Sequence, residues 1–392
     1  MKMAETVRTK AMRNPVSSID APELAPIDVA RPQNALAWMQ GFGKWVLRAV
    51  FVVGWLGLLA VLVACFLAPY NYHCDLISNF RAQYLGLGVG VGLIGLVLRH
   101  WRWSVVALLL TMPHAIHVLP YYWPLTWMTS RLESRVADGP DASAADTSTA
   151  PSSNSGSSRS DVLRLVSFNV LYLNQDRHES IQFLRDADAD LIVLCECTDG
   201  WFEAVQSALA NTHPFTSAKL FPAWNGTRVF SRQPLRAATD LPDFRLIPDS
   251  EKIMAVSTLW QGQTIVVMGV HPASPVNQER FKYRNNMLNL IAAVGRQVSE
   301  PLIIAGDFNC TSGSPYFLRA AGLHDSRRGF GWQGSWPTFA PEFLRIPIDH
   351  VFVNDRWQVT HREIAPSVGS DHSPVITELR LISDSAVTTV AQ

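Results

Sequence analysis

One uninterrupted apolar run near the N-terminus limits most strongly what this chain can fold into. Residues Ala49 to Ala68 read AVFVVGWLGLLAVLVACFLA, about 20 residues without a charged side chain. A helix of that length covers roughly 30 Å, the thickness of the hydrocarbon core of a bilayer. We therefore expect a first membrane span here. A cleavable signal peptide is a poorer interpretation, because the run starts late, is long and is followed by two more apolar segments.

The two later apolar segments predict further spans, about three transmembrane helices in all within residues 45–128. Ala82 to Leu98 is rich in glycine, which lets a neighbouring helix approach closely. Ser104 to Leu119 ends beside an aromatic cluster, PYYWPLTW, that is typical of a headgroup boundary. Basic residues near Arg48 and Arg99 should be cytoplasmic. We therefore expect a multi-pass inner-membrane protein whose chain after residue 128 lies in the periplasm or outside the cell.

Segments of low hydrophobicity surround the membrane region. Residues 129–160 are rich in Ser, Ala and Thr, and such a segment cannot offset its ordering entropy, so we expect a flexible linker. Residues 1–44 are expected to be a disordered cytoplasmic N-terminus, and residues 382–392 a tail. The soluble domain is then residues 161–381.

Short β-branched runs alternate with amphipathic stretches in residues 161–381, which favours a mixed α/β domain. The predicted strands are Val162–Val170, Asp190–Glu196, Thr227–Ser231, Ile253–Leu259, Thr264–His271, Leu302–Asn309, Ile348–Val353 and Val375–Leu381. The predicted helices are Glu179–Asp186, Trp201–Leu209 and Asn277–Val298.

Polar residues interrupt these apolar strands at their ends, and the two-residue side-chain period assigns each of them to a face. Glu196 is predicted to share a face with Ile192 and Leu194, and Asp307 and Asn309 share a face at the end of LIIAGDFN.

Three further polar residues lie at strand ends, since Asn169 and His271 close predicted strands and Asp349 opens another. Isolated buried charge is costly, so carboxylates that converge at strand ends indicate either a bound cation or hydrogen-bonded pairing. A hard divalent ion suits these oxygen-rich side chains better than zinc.

Seven short motifs in this region, taken together, resemble a known family. SFNV, LCECT, GTRVFSRQPL, GVHPASP, GDFN, IDHVFV and SDHSP occur in the order seen in the endonuclease/exonuclease/phosphatase superfamily, the DNase I-like enzymes. The resemblance spans essentially all of residues 161–381. It implies a four-layer α/β sandwich, preceded here by about three transmembrane helices, with the active residues at one end of two packed sheets.

The resemblance also implies a metal-dependent phosphoesterase and a role for each strand-end residue. Asn169 and Glu196 would hold Mg²⁺, for which Mn²⁺ is a possible substitute, and Asp371 would serve the metal or a second metal position. Asp307 would orient or deprotonate the attacking water, and Asn309 would hold the phosphate or that water.

Two histidines complete the implied site. His271 and His372 would contact the phosphate, and Asp349 would orient the ring of His372 and favour its charged form. The implied reaction is hydrolysis of a phosphodiester or phosphomonoester bond. The alternative is a non-catalytic binding or sensory module displayed by a membrane anchor.

Charge leaves the substrate open. The whole chain has a formal net charge of zero, and residues 161–381 contain about 20 Lys and Arg against about 23 Asp and Glu. That balance lacks the basic excess of a strong DNA binder. Nucleic acid and a phospholipid head group both remain candidate substrates, the membrane is a partner through the N-terminal helices, and no obligate protein partner is inferred.

Three other sets of residues have two interpretations each. One set either contacts an interface or a base, or packs in the fold: Trp224, Trp332 and Trp336. Another is either an anion-binding patch or a solvated face: Arg280, Lys282, Arg284, Arg327 and Arg328. The last is either a thiolate metal site or part of the core: Cys195, Cys197 and Cys310.

Overall fold

A computed structural model describes residues 33–123, 161–221, 226–238, 253–319 and 322–382. The chain before residue 33, the predicted linker, Trp224 and the predicted tail after residue 382 lie outside the described residues. From Arg48 onward the chain forms one compact unit.

Four helices make up the N-terminal region: α1 (Gln33–Leu67), α2 (Tyr72–Ser78), α3 (Arg81–Val97) and α4 (Trp101–Val118). Helix α1 and helix α4 are long and apolar enough to cross a membrane, and α2 with α3, bent by 66°, adds a third if the pair is one span. The expected number of apolar helices is therefore confirmed as two or three.

Helix α1 starts earlier than expected. The prediction of disorder up to residue 44 is wrong from Gln33 onward, where the helix begins directly after Pro32. The rings of Trp38 and Phe42, four residues apart, stack with centroids 5.5 Å apart. Such a pair on one helix face stabilises the helix beyond the apolar run that predicted it.

The glycines of α3 allow α4 to pack closely against it, as expected. A Cβ atom on Gly88 would lie 1.9 Å from Oγ1 of Thr111, and one on Gly95 would lie 2.3 Å from Oγ of Ser104. The outward faces carry exposed apolar side chains such as Leu93 and Ile116. A surface of that kind is suited to lipid.

The described residues of the soluble region form two six-stranded sheets. The first sheet comprises β1 (Val162–Asn169), β2 (Leu191–Cys197), β3 (Phe215–Thr216), β4 (Gly226–Ser231), β11 (Trp357–Ile364) and β12 (Val375–Leu381). The second comprises β5 (Arg236–Ala237), β6 (Ile253–Trp260), β7 (Gln263–Val270), β8 (Leu302–Asp307), β9 (Leu323–Asp325) and β10 (Asp349–Asn354). The strand order is β11-β12-β1-β2-β4-β3 in the first sheet and β5-β6-β7-β8-β10-β9 in the second.

All of the predicted strands exist, but the long strand β11 was not predicted. Its sequence, WQVTHREI, is mostly polar, as suits an edge strand with one solvated face. The register also shifts between Val359 and His361, which breaks the alternation that a sequence pattern would reveal.

Helices cover the outer faces of both sheets: α5 (His178–Asp186) and α6 (Asp199–Leu209) on the first, and α7 (Gln278–Gly295) on the second. Val193 and Ile303 are buried between the sheets. Trp201 of α6 packs on the outside of the first sheet, and Met287 and Ile291 of α7 pack on the outside of the second. These are the four layers that the motifs implied.

The sheet topology brings the polar strand ends together. Strand β1 is parallel to β2, and β7 is parallel to β8, so the carboxyl ends within each pair lie at one edge. Strands β10 and β12 are antiparallel to β8 and β1, so their first residues lie at the same edges. The two edges meet, since Nδ2 of Asn169 donates to Oδ2 of Asp307 at 3.1 Å.

A buried ion pair attaches the soluble domain to the helical region. Nη2 of Arg284 in α7 lies 2.7 Å from Oδ2 of Asp75 in α2, and both side chains are inaccessible to solvent. Oγ of Ser314 donates to the other carboxylate oxygen of Asp75 at 2.6 Å. The backbone N–H of Thr311 donates to Oδ1 of Asn79 at 2.7 Å. Helix α2 is thus part of the soluble domain's packing, which the sequence did not predict.

The ends of the longer helices also contact the soluble domain. Tyr316 donates to the carbonyl of Pro69, which follows α1. The N–H groups of Gly329 and Gly331 donate to the carbonyl of Tyr121, which follows α4, and the guanidinium of Arg327 stacks 3.7 Å from the Tyr121 ring centroid. The end of α1, helix α2 and the end of α4 therefore all lie on the same side of the helical region.

We predict that Asp75→Ala strongly destabilises the full chain, because it leaves the Arg284 guanidinium buried without its partner. Loss of one member of a buried pair costs about 3–5 kcal/mol. Thermal unfolding in detergent should show this loss. The control is Asp186→Ala, since Asp186 is exposed and bonds only to Gln182 among the described residues. Equal stability of the two variants would contradict the structural role of the pair.

Candidate active site

Asn169 and Glu196 meet at the ends of β1 and β2. Nδ2 of Asn169 lies 3.2 Å from Oε1 of Glu196, and the N–H of Tyr172 donates to Oε2 of Glu196 at 3.0 Å. The predicted face of Glu196 is wrong. A bulge lies between Leu194 and Cys197, and Glu196 has a φ of +58°. The bulge turns the carboxylate out of the strand alternation and into the site.

The other carboxylate of the site, Asp307, ends β8 on a tightly constrained backbone. Gly306 has a φ of +148°, and a Cβ atom there would lie 1.9 Å from the carbonyl oxygen of Val270. Asn309 lies beyond the strand rather than within it, with a φ of +50°. Its N–H donates to Oδ1 of Asp307 at 2.8 Å, and its Nδ2 donates to the carbonyl of Pro272 at 3.0 Å. Asn309 therefore orients the Asp307 carboxylate.

His372 and Asp349 form a hydrogen-bonded pair opposite Asp307. Nδ1 of His372 lies 2.8 Å from Oδ2 of Asp349, and its Nε2 lies 3.8 Å from Oδ2 of Asp307. Burial lowers the pKa of His372, but the charges of Asp349 and Asp307 outweigh it and raise the pKa to about 10. The imidazole is therefore protonated at neutral pH, its Nδ1 donates to Asp349, and its Nε2–H is left to donate to a ligand in the site.

Burial also shifts the pKa of Asp307. Desolvation and the charge of Asp349, directly across the strand pair, together raise it to about 7 against the opposing effect of the His372 charge. A carboxylate with a pKa near 7 is suited to accept a proton at neutral pH. A bound cation would favour its charged form and lower that pKa.

His271 lies between the two carboxylates. Its Nε2 is 3.8 Å from Oε1 of Glu196 and 3.6 Å from Oδ2 of Asp307. It follows directly after β7, whose end is at the same edge as Asp307. This position suits a donor to a phosphate oxygen held against the carboxylates.

The donors present fit a hard divalent cation. Glu196 and Asp307 approach the same Asn169 amide, and no Arg or Lys forms an ion pair with either carboxylate within the described part of the chain. Carboxylates that converge without an Arg or Lys partner favour a bound ion. The amide nitrogen of Asn169 faces the carboxylates, while its Oδ1 accepts from Leu171. A ligand role for Asn169 requires that amide to turn over.

A second grouping of metal-ligating atoms exists, in which Asp307, Asp349 and His372 each offer an atom within 4.8 Å of the others. Two members of this group are already bonded to each other. Oδ2 of Asp349 is already bonded to Nδ1 of His372, and the protonated ring would repel a cation.

Asp371 lies in the wall of the site beside His372. Its Oδ2 accepts from Nε1 of Trp336 at 3.1 Å, and its Oδ1 is buried without a hydrogen-bond partner among the described residues.

One cavity of about 770 Å³ is lined by six of these residues: Glu196, His271, Asp307, Asn309, Asp371 and His372. Its wall includes side chains whose place in the site the sequence did not reveal: Leu76 and Phe80 from the helical region, and Tyr172, Ile346 and Ile348 from the soluble domain. Ser370 lies behind it, donating from Oγ to the carbonyl of Asn169 at 2.7 Å. The SDHSP motif could have indicated Ser370. The apolar wall residues carry no local signal in the sequence.

The structure distinguishes between the two interpretations for several of the tryptophans and basic residues. Trp336 lines the cavity, while Trp332 is buried and donates to the carbonyl of Arg345. Arg284 and Arg327 are fully buried, so the five basic residues do not form one anion patch. Arg280 does line the cavity.

The cysteines near the site belong to the core. Cys195, Cys197 and Cys310 are buried and free. Burial raises the pKa of Cys197 and of Cys310 to about 12, so both remain thiols rather than metal-binding thiolates. Cys197, and not Glu196, packs in the cluster of Ile192 and Leu194.

The model of the endonuclease/exonuclease/phosphatase family matches residues 166–372, more than half of the 392-residue chain. The chain belongs to this family. It is therefore a metal-dependent phosphoesterase, and the alternative of a non-catalytic module is not supported. No curated protein matches the sequence.

Solved structures are similar to part of this chain. A humanized TDP2 from D. rerio is 15% identical, with 56% of this chain and 99% of that chain covered and a TM-score of 0.46. A family member from Beutenbergia cavernae is 19% identical, with 56% of this chain and 72% of that chain covered and a TM-score of 0.42. One from Bacteroides vulgatus is 20% identical, with 56% of this chain and 99% of that chain covered and a TM-score of 0.44.

We predict that Asp349→Asn shifts the alkaline limb of the pH–rate profile to lower pH. His372 is protonated up to about pH 10 in the native protein, and removal of the Asp349 charge leaves burial to lower that pKa. Activity that depends on the imidazolium is then lost as pH rises through the lower value. The matched control is Asp355→Asn, which alters an exposed Asp–His pair with His324. An unchanged alkaline limb in Asp349→Asn would contradict the role given to the pair.

Proposed function

We propose that this protein is a Mg²⁺-dependent hydrolase of phosphodiester bonds, held in the membrane by its N-terminal helices. The observation that supports it most directly is that Glu196, Asp307 and His372, whose ring is bonded to Asp349, line one cavity. Hydrolysis of a phosphomonoester uses the same groups and is the finer alternative within the family.

In the proposed reaction a water oxygen bonds to phosphorus and one P–O ester bond breaks, which gives a phosphomonoester and an alcohol. Asp307 accepts the proton of the attacking water, and the leaving oxygen finally takes a proton from solvent. His372 donates from Nε2 to a phosphate oxygen while Asp349 holds Nδ1–H, and His271 donates to a second oxygen. These donors offset the negative charge that grows on the phosphoryl group.

The metal-binding role falls to Glu196, with Asn169 and Asp371 as further candidate ligands. Bound Mg²⁺ would supply Lewis-acid stabilisation of the phosphoryl and leaving oxygens. The oxygen-only donor set, with buried thiols kept out of the cavity, favours Mg²⁺ or Mn²⁺ over zinc.

The proposed topology has three crossings. The end of α1, helix α2 and the end of α4 all contact the soluble domain. Arg99, between α3 and α4, and Arg102, in the first turn of α4, lie at the opposite end. Basic residues favour the cytoplasmic side. This arrangement supports a soluble domain on the periplasmic or extracellular side of the membrane.

We predict that chelation abolishes hydrolysis of bis-p-nitrophenyl phosphate by the purified full chain and that Mg²⁺ or Mn²⁺ restores it. Glu196→Gln removes the ligand charge and should raise the Mg²⁺ concentration for half-maximal rate by at least about tenfold, since even residues that only support a ligand contribute about 10–100-fold. Glu203→Gln, on the exposed face of α6, is the control. The same Mg²⁺ requirement in both variants would remove Glu196 from the metal site.

We also predict that Asp307→Asn lowers kcat by about 10²–10⁴-fold, the usual contribution of a general base. His372→Ala should have a similar effect through the loss of a phosphate donor. Circular dichroism and thermal unfolding of each variant establish that it is folded, and exposed Asp186→Asn serves as the control. Retention of activity by folded Asp307→Asn would exclude Asp307 as the base.

The topology can be tested with reporter fusions. Alkaline phosphatase fused after residue 160 should be active, and a fluorescent protein fused at the same position should not fluoresce. The signal of each reporter depends on the compartment in which the reporter lies. Fusions after His100 should give the reverse result. Cytoplasmic signals at both positions would overturn the three-crossing arrangement.

A further inference from the structure

An aromatic loop of the soluble domain lies beside the first turn of α3. This loop, residues 337–345, exposes Phe339 and Phe343 by 84% and 76%, unusually large fractions for phenylalanine. Nε2 of Gln83 in α3 donates to the carbonyls of Phe343 and Arg345 at 3.2 and 3.3 Å. The exposed rings are therefore adjacent to the start of an apolar helix rather than remote from the helical region.

The loop has a built conformation. Nε and Nη2 of Arg345 donate to the carbonyls of Ala340 and Thr338 at 2.8 and 2.7 Å. An isolated β-bridge between Trp336 and Ile346 closes its base. Side chains exposed on a loop with internal hydrogen bonds are presented at little further entropic cost, as suits a surface that meets another apolar phase.

The base of the same loop is part of the active-site cavity. Trp336 and Ile346 line the cavity, and Leu76 and Phe80 from the α2 region line it from the other side. One part of the wall is thus polar and contains the catalytic groups. The other part is apolar and is built jointly by the α2 region and the base of the loop that carries the exposed rings.

We propose that the loop inserts into the membrane interface beside α3 and that the cavity takes the phosphodiester of a membrane lipid. The phosphate lies between His271, His372 and Asp307, and the hydrocarbon chains leave between Phe80 and the loop. This inference rests on the proposed hydrolase function and names its substrate class.

The cavity wall favours lipid over nucleic acid. Arg280 is the single Arg or Lys that lines it among the described residues, and its Nε donates to the carbonyl of Ser274. Binding of a polynucleotide relies on several cations along its backbone. A lipid head group needs a site for one phosphate and an apolar exit for its chains, and both are present here.

The test uses the full chain in nanodiscs that contain phosphatidylethanolamine and phosphatidylglycerol, with Mg²⁺ present. Product release from these lipids is compared with hydrolysis of the deacylated head groups glycerophosphoethanolamine and glycerophosphoglycerol, of bis-p-nitrophenyl phosphate and of single-stranded DNA. We expect a kcat/KM on lipid at least about tenfold above that on the matched deacylated diester, because the chains contribute binding energy.

Variants of the loop separate membrane insertion from general damage. The double variant Phe339→Ser/Phe343→Ser should lower the ratio of the lipid rate to the bis-p-nitrophenyl phosphate rate by at least about tenfold. The control is Leu259→Ser, which also removes an exposed apolar side chain but lies at the other end of β6 from the site. It should leave that ratio unchanged.

Each other outcome overturns the inference in a distinguishable way. Equal rates on lipid and deacylated diester, or faster cleavage of single-stranded DNA, exclude lipid as the preferred substrate while the hydrolase function stands. An equal fall of both rates in the double variant excludes the membrane role of the loop. No metal-dependent hydrolysis of any diester overturns the proposed function together with this inference.

Discussion

The buried guanidinium of Arg284 connects the helical region to the backbone beside the active site, and the rest of the structure depends on this connection. It pairs with Asp75 of α2, bonds to Oδ1 of Asn285, and donates from Nη1 to the carbonyl of Asn309 at 3.1 Å. A buried arginine is tolerated only when such partners compensate its charge. The helical region and the backbone that orients Asp307 are therefore held by one side chain, and α2 is in place to form a wall of the cavity.

Several strained backbone positions of the soluble domain lie at the candidate site. Glu196 and Asn309 have left-handed backbones although neither is glycine, and Gly306 takes a φ that leaves no space for a Cβ atom. Such conformations cost energy and persist where the surrounding structure imposes them. Here they turn a carboxylate out of a strand and bring an amide onto Asp307. The negative charges of Asp307 and Asp349 lie close together at the same edge, and the protonated His372 between them compensates both.

Much of the fold and most of the candidate site could be predicted from local patterns. β-branched runs marked every long strand except β11, whose polar edge face and register shift hide the alternation. Strand-end positions marked Asn169, Asp307 and Asp349, because neighbouring strand ends meet at one edge whatever the loops between them. The face of Glu196 was wrong, since a bulge depends on how β2 pairs with β4 and not on the sequence of β2 alone.

The sequence by itself determined the apolar lengths, the order of strands and helices, and the oxygen-rich chemistry of the strand ends. Those properties follow from local periodicity and from side-chain type. Only the tertiary structure decided that α2 packs into the soluble domain and that an aromatic loop lies beside α3. Contacts between residues some 200 or more positions apart depend on how whole elements pack, because no local pattern records which distant surface a polar side chain will meet.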